Sequence, residues 1–122
     1  MKSQIEKLNK TTFKQEIEKD FSFEIGDSKQ PDFKNQLKIL RWENECNMSV
    51  RFISDEISKV EKVGEKVISK QKTTECHFYK QEKTKDLPES VEFEILLKSK
   101  PKTNKVKMSI RTKGLKFYYQ PP

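Results

Sequence analysis

Apolar positions along this chain follow two spacings, and each predicts a different element. Ile5, Leu8, Phe13, Ile17 and Phe21 recur three to five residues apart, close to the helical period. Thr12 followed by Gln15 resembles a capping box, so this stretch predicts a helix over Thr12 to Asp20. Phe21, Phe23 and Ile25 then alternate with Ser22 and Glu24, as in a strand with one wet face, and Gly26-Asp27-Ser28 stops it. Gln36 to Trp42 sets Leu37 and Ile39 against Lys38 and Leu40, while Met48, Val50 and Phe52 alternate with Ser49, Arg51 and Ile53. Asn44 and Asn47 supply turn chemistry between these runs, which predicts two neighbouring antiparallel strands.

Ser54-Asp55-Glu56 offers a hydroxyl cap and two acids near the positive end of a helix dipole. Ile57, Val60 and Val63 follow at spacing three and Gly64 can stop the turn, so a short internal helix is expected over Ser54 to Val63. The competing reading is a β-ribbon running through Val67 and Ile68, because valine and isoleucine dominate there. Thr74 to Gln81 sets Cys76 and Phe78 against His77 and Tyr79, and Glu82 to Ser90 reads as a polar connection. Val91, Phe93, Ile95 and Leu97 form one face of a strand, and a turn at Pro101-Lys102-Thr103-Asn104 leads to Val106, Met108 and Ile110. Pairing Leu97 with Val106 sets Ile95 opposite Met108, Phe93 opposite Ile110 and Glu92 opposite Arg111. Gly114 marks a turn or bulge before a third strand from Leu115 to Gln120, which completes a C-terminal meander. The fold expected is α+β: a mainly antiparallel sheet, either curved or closed into a partly open barrel, with six or seven short strands, an N-terminal helix and one short internal helix. One domain spans residues 1–122, with residues 1–11 expected to be flexible.

Composition changes this picture in two respects. Leu, Ile, Val and Phe make up 30 of the 122 residues and alanine is absent, which permits a modest core and favours sheet over packed helices. No apolar run approaches the ~20 residues needed to cross a bilayer, and the start lacks a signal-peptide stretch. The expected location is therefore intracellular and reducing, cytoplasm or nucleus, with no membrane partner.

Candidate chemistry is sparse. Cys46, Cys76 and the lone His77 cannot supply the close ligand pairs of a structural zinc site, so two thiols and no metal are expected. On a strand Cys76 and His77 point to opposite faces, which separates a thiol from the only base beside it. No phosphate-binding glycine loop, nucleophile elbow or metalloprotease helix occurs. The sequence therefore predicts a protein that is not an enzyme, with no catalytic residues, no cofactor and no small-molecule substrate.

Charge carries the functional expectation. The last 28 residues hold eight cations and no carboxylate, so the whole net charge of +7 belongs to them. Lys98, Lys100, Lys102, Lys105, Lys107, Arg111, Lys113 and Lys116, with Tyr118 able to stack on an unpaired base, form the candidate nucleic-acid-binding set. RNA or another single strand suits this set better than duplex DNA, since no helix combines a basic face with base-reading Asn, Gln and Arg. The alternative is a structural or adaptor subunit of a larger assembly, docking an acidic protein surface or pairing through its last strand, Leu115 to Gln120. Lysine's predominance over arginine, which appears only at 41, 51 and 111, suits a solvated face as well as a binding one.

Val50-Arg51-Phe52-Ile53, Gly64 and the run from Lys105 to Phe117 resemble, in apolar pattern, the first half of phosphotyrosine-binding domains. That resemblance implies a strand, a helix and a hydrophobic strand ending in glycine. It carries no specific motif, and no family is assigned on it.

Overall fold

The computed structural model describes residues 4–42, 44–82, 84–86, 89–100, 105–116, 118 and 121. Ten strands run in chain order: β1 (Glu6–Asn9), β2 (Thr12–Glu18), β3 (Phe21–Gly26), β4 (Gln36–Arg41), β5 (Cys46–Phe52), β6 (Lys59–Val63), β7 (Lys66–Lys70), β8 (Thr74–Gln81), β9 (Ser90–Leu97) and β10 (Met108–Lys113). They form a six-stranded sheet in the order β1-β2-β3-β4-β5-β10 and a four-stranded sheet in the order β6-β7-β8-β9. Every pairing is antiparallel.

The α+β expectation is overturned. Among the described residues there is no helix, and two sheets replace the single curved sheet or partly open barrel. The region expected as the N-terminal helix is β2 and the turn into β3. A separation of four between Phe13 and Ile17 fits both periods, and Gln15, buried between them, hid the alternation. The expected internal helix resolves into a loop and β6, hairpinned to β7 as the competing ribbon reading had it. Ser54 Oγ does accept the Glu56 N–H at 3.2 Å, but Val60, Val63, Val67 and Ile68 favour a pleated surface. Gly64, at φ 62°, leads the two-residue turn that joins them.

The terminal meander is the third correction. β9 pairs with β8, and β10 pairs with β5 in the other sheet, so Glu92 does not face Arg111 within the chain. Leu115 and Lys116 lie outside any strand, and Phe117, Tyr119 and Gln120 lie outside the described residues, as does the predicted turn at 101–104. Alternation within each strand holds in part: Leu97 and Val106, assigned to the apolar faces, are exposed, and Val106 lies ahead of β10. Val91, Phe93 and Ile95 pack on the core from one face of β9, and Met108 and Ile110 share one face of β10.

The two sheets meet through one hydrophobic cluster. Phe13, Phe23, Ile25 and Leu37 come from the inner face of the larger sheet, and Val67, Cys76 and Phe78 from that of the smaller one. Ile5, just ahead of β1, joins them. Phe78 is the hub: its ring lies 4.4 Å from Phe93 and meets Phe33 edge-on at 6.4 Å. Among the polar groups that enter this interior, Gln15 Oε1 and Asn35 Oδ1 find no hydrogen-bond partner, whereas Gln71 is fully engaged. Gln71, buried in the β7–β8 turn, donates through Nε2 to Ser69 Oγ (2.5 Å) and Ser58 Oγ (2.8 Å), and its Oε1 accepts from Thr74 Oγ1 (3.0 Å). Each such bond adds little, but leaving one of these groups unmade in the interior would cost about 1–3 kcal/mol.

Phe78→Ala should therefore destabilise the fold by about 3–5 kcal/mol, since it opens a cavity at the contact between the sheets. Urea denaturation followed by circular dichroism measures this. A loss below 1 kcal/mol would contradict Phe78 as the hub.

Candidate nucleic-acid interface

Strand parity that turns Phe23, Ile25 and Leu37 inward turns the residues between them outward. Register then aligns those outward positions across five strands of the larger sheet. One row reads Lys14, Glu24, Lys38, Ser49, Arg111 from β2 to β10. The row beside it reads Glu16, Ser22, Leu40, Asn47, Lys113. On the other side Thr12 pairs with Gly26, and Gln36 with Arg51 and then Ser109, Thr12, Gly26 and Gln36 being buried there. Adjacent strands lie about 4.8 Å apart, so Lys38 and Arg111 are separated by roughly 10 Å with only a serine between them.

Arg51 is committed within this face. Its guanidinium reaches Asp27 at 2.5 Å and Gln36 Oε1 at 2.9 Å. Burial alone would raise the Asp27 carboxyl, but the Lys29 amide and the Arg51 guanidinium outweigh it and hold the group below the usual aspartate range. Glu24 stands between Lys14 and Lys38 and weakens the field on that side. The cations that dominate are therefore Lys38, Arg111 and Lys113, at the β10 end.

The β4–β5 turn is tied to the same end. Lys113 Nζ donates to the Asn44 carbonyl at 3.1 Å, and the Cys46 thiol to the Gly114 carbonyl at 3.3 Å. Gly114 has φ 71°, and a Cβ there would stand 2.6 Å from the Glu45 carbonyl oxygen, so only glycine lets the chain run this close. The turn carries Trp42, which is 56% exposed at φ 52°. A lone tryptophan in a small domain is expected in the core; here it is exposed, with its backbone N–H donating to the Asp20 carbonyl at 2.8 Å. An open depression of about 510 Å³ also lies on this face, lined in part by Lys14, Glu16, Ser22, Leu40 and Asn44. Glu18 and Asp20 on its β2–β3 rim would turn an anion away toward Lys38 and Lys113.

The nine residues predicted from sequence do not form one patch. Arg111 and Lys113 share the outer face, and Lys107 continues their parity, because its carbonyl accepts the Ile53 N–H at 2.9 Å and extends the ladder. Lys105 is exposed just before β10, Lys116 just after Gly114, and Tyr118 is 82% exposed. Lys98 belongs to the other sheet, where its Nζ donates to the Gln71 carbonyl at 2.9 Å. Lys100 is exposed on the connection after β9, and Lys102 lies outside the described residues. Sequence reasoning missed Lys14 and Lys38, and it weighed Trp42 for stacking but assigned it, as a lone tryptophan, to the core. Alternation with Leu37 and Ile39 already placed Lys38 on a wet face, but not two strands from Arg111.

The smaller sheet's outer face is balanced rather than basic. Its rows read Lys66, Tyr79, Glu92, then Ile68, His77, Glu94, then Lys70, Glu75, Leu96. The Tyr79 hydroxyl donates to Glu94, Lys66 Nζ lies 4.4 Å from the Tyr79 ring, and His77 Nε2 is 2.9 Å from Glu75. The hydrogen bond from His77 holds the Glu75 carboxyl below its usual value. Cys76 points the other way, into the core, where burial and then the Glu75 charge push its thiol up to about 12. A thiol so disfavoured as thiolate is no nucleophile. Among the described residues no group of three metal-ligating side chains comes together.

No protein-family model, no curated protein and no solved structure matches this chain.

Two measurements check the site's electrostatics. Because the folded Asp27 carboxyl titrates below its unfolded value, its contribution to stability is fully present above the unfolded value and is lost as pH falls through the folded one. Stability should thus decline below a pH of about 4, and Asp27→Asn should flatten that decline. A thiol reagent at neutral pH should label half-buried Cys46 in the native protein and reach Cys76 only after denaturation. Equal native labelling of both would contradict the packing around Cys76.

Proposed function

We propose that this protein is a non-enzymatic module that binds single-stranded nucleic acid, most simply RNA, on the outer face of its six-stranded sheet. The observation that carries the reading is the β5–β10 pairing, which sets Arg111 and Lys113 two strands from Lys38. The same contact ties the turn bearing exposed Trp42 to their strand. Cations two strands apart can neutralise successive phosphates, and an indole standing free can stack on any base. The face has no groove-sized helix and no array of base-reading amides, so sequence-tolerant binding follows. Lys107 and Lys116, before and after these residues in the chain, extend the electrostatic reach, and Tyr118 offers a second ring.

Titration with polyuridylate should show affinity falling with added salt, at a slope of about −2 to −3 in log–log form for three or four phosphate contacts. The triple variant Lys38→Glu, Arg111→Glu and Lys113→Glu should lose binding while keeping its β-sheet circular dichroism. Trp42 fluorescence should be quenched on binding. No binding at low salt would sink the reading and leave the acidic protein partner as the ligand to seek; intact binding in the triple variant would sink this face as the site.

A further inference from the structure

β9 and β10 end their respective sheets, so among the described residues each presents one unpaired edge. The two edges are complementary in three ways. β9 alternates apolar Val91, Phe93 and Ile95 with Glu92 and Glu94, whereas β10 alternates apolar Met108 and Ile110 with Arg111 and Lys113. On both strands the apolar side is the inner side of its sheet and the charged side the outer. Backbone phase agrees as well. The Lys107 carbonyl bonds toward β5 and the Lys98 N–H toward β8. Antiparallel alternation therefore aims the backbone groups of Met108, Ile110 and Thr112, and those of Val91, Phe93 and Ile95, at the open edges. These are the residues that would exchange hydrogen bonds when Phe93 lies opposite Ile110.

We infer that the β10 edge receives the β9 edge of a second copy of this chain, antiparallel, with Glu92 of one copy opposite Arg111 of the next. Like edges centred on these same two residues set like charges opposite instead. A β10–β10 contact centred on Ile110 sets Lys107 against Lys113, and a β9–β9 contact centred on Phe93 sets Glu92 against Glu94. The unlike pair instead places cation against carboxylate and covers Met108 and Ile110, which are 40% and 61% exposed. Because the two surfaces differ, each added copy leaves one β9 edge and one β10 edge free, so the assembly grows into open chains or a ring. The buried area of one strand pair is small, and the contact is correspondingly weak. This inference is independent of nucleic-acid binding and is tested without it.

Sedimentation velocity over rising protein concentration should show species that grow progressively beyond two copies. Glu92→Arg alone and Arg111→Glu alone should each weaken association about tenfold by setting like charges opposite. An equimolar mixture of those two variants should recover it, because each supplies the edge the other lacks. Glu92→Gln and Arg111→Gln, milder changes, should weaken it less and serve if a reversal disturbs the fold seen by circular dichroism. A protein that stays monomeric up to its solubility limit would overturn the inference. So would assembly that stops at two copies, that ignores Glu92→Arg, or that fails to return in the mixture.

Discussion

The packing of Phe13, Phe23, Ile25 and Leu37 against Val67, Cys76 and Phe78 sets the orientation of every other side chain in the two sheets. A strand has only two faces, and a shift by one residue would exchange them throughout. Once Phe23 and Leu37 turn inward, Lys38 must turn outward, and hydrogen-bonded register carries that choice through Ser49 to Arg111. The basic face is thus a consequence of the core and needs no separate device to orient it.

The core is small for the sheets it joins. Ile39, Met48 and Val50 continue the inner face toward β10 but are only partly buried, and Met108 and Ile110 beyond them are exposed. Full burial of such a side chain would contribute about 1.5–3 kcal/mol, so the larger sheet leaves stabilisation unused along this flank. Bonded polar contacts support what the apolar core does not. Gln71 links the β7–β8 turn to Ser58, ahead of β6, and Arg51 holds Asp27, beyond the end of β3, against β5. A half-buried pair of the latter kind fixes geometry more surely than it adds net stability.

Sequence periodicity revealed strands where apolar and polar residues mostly alternate. β3, β4, β5, β8 and β9 were legible on that basis, and the β4–β5 pairing followed from the asparagines between them. β2 was not, because buried Gln15 occupies an inward position that pattern reading takes as wet. β6 was not, because a helix cap and spacing-three valines can be written with the residues of a hairpin. The partner of β10 was illegible for a different reason. β9 matches it in parity, complements it in charge and lies nearest in sequence, and local pattern cannot register the pull of β5, some sixty residues earlier. Lys38 was visible as an exposed lysine but not as a neighbour of Arg111, since adjacency across a sheet is a property of pairing alone.

That mismatch between local pattern and actual pairing is itself informative about surfaces. Two strands written to fit one another, yet docked on different sheets, leave two complementary edges unspent. Natural sheets usually blunt an edge with charge, and here the blunting is of opposite sign on the two strands: carboxylates on β9, cations on β10. Opposite signs repel like edges and attract unlike ones, so the charge that guards each edge against its own kind also selects its partner. The same lysines and arginine face outward over the larger sheet, where their field acts on anything anionic. Phosphates bound as proposed on the face and carboxylates at the edge would therefore compete for Arg111 in particular, which stands on both. Under that proposal, occupation of one surface would weaken the other, because a cation whose field is already neutralised has less left to offer a second anion.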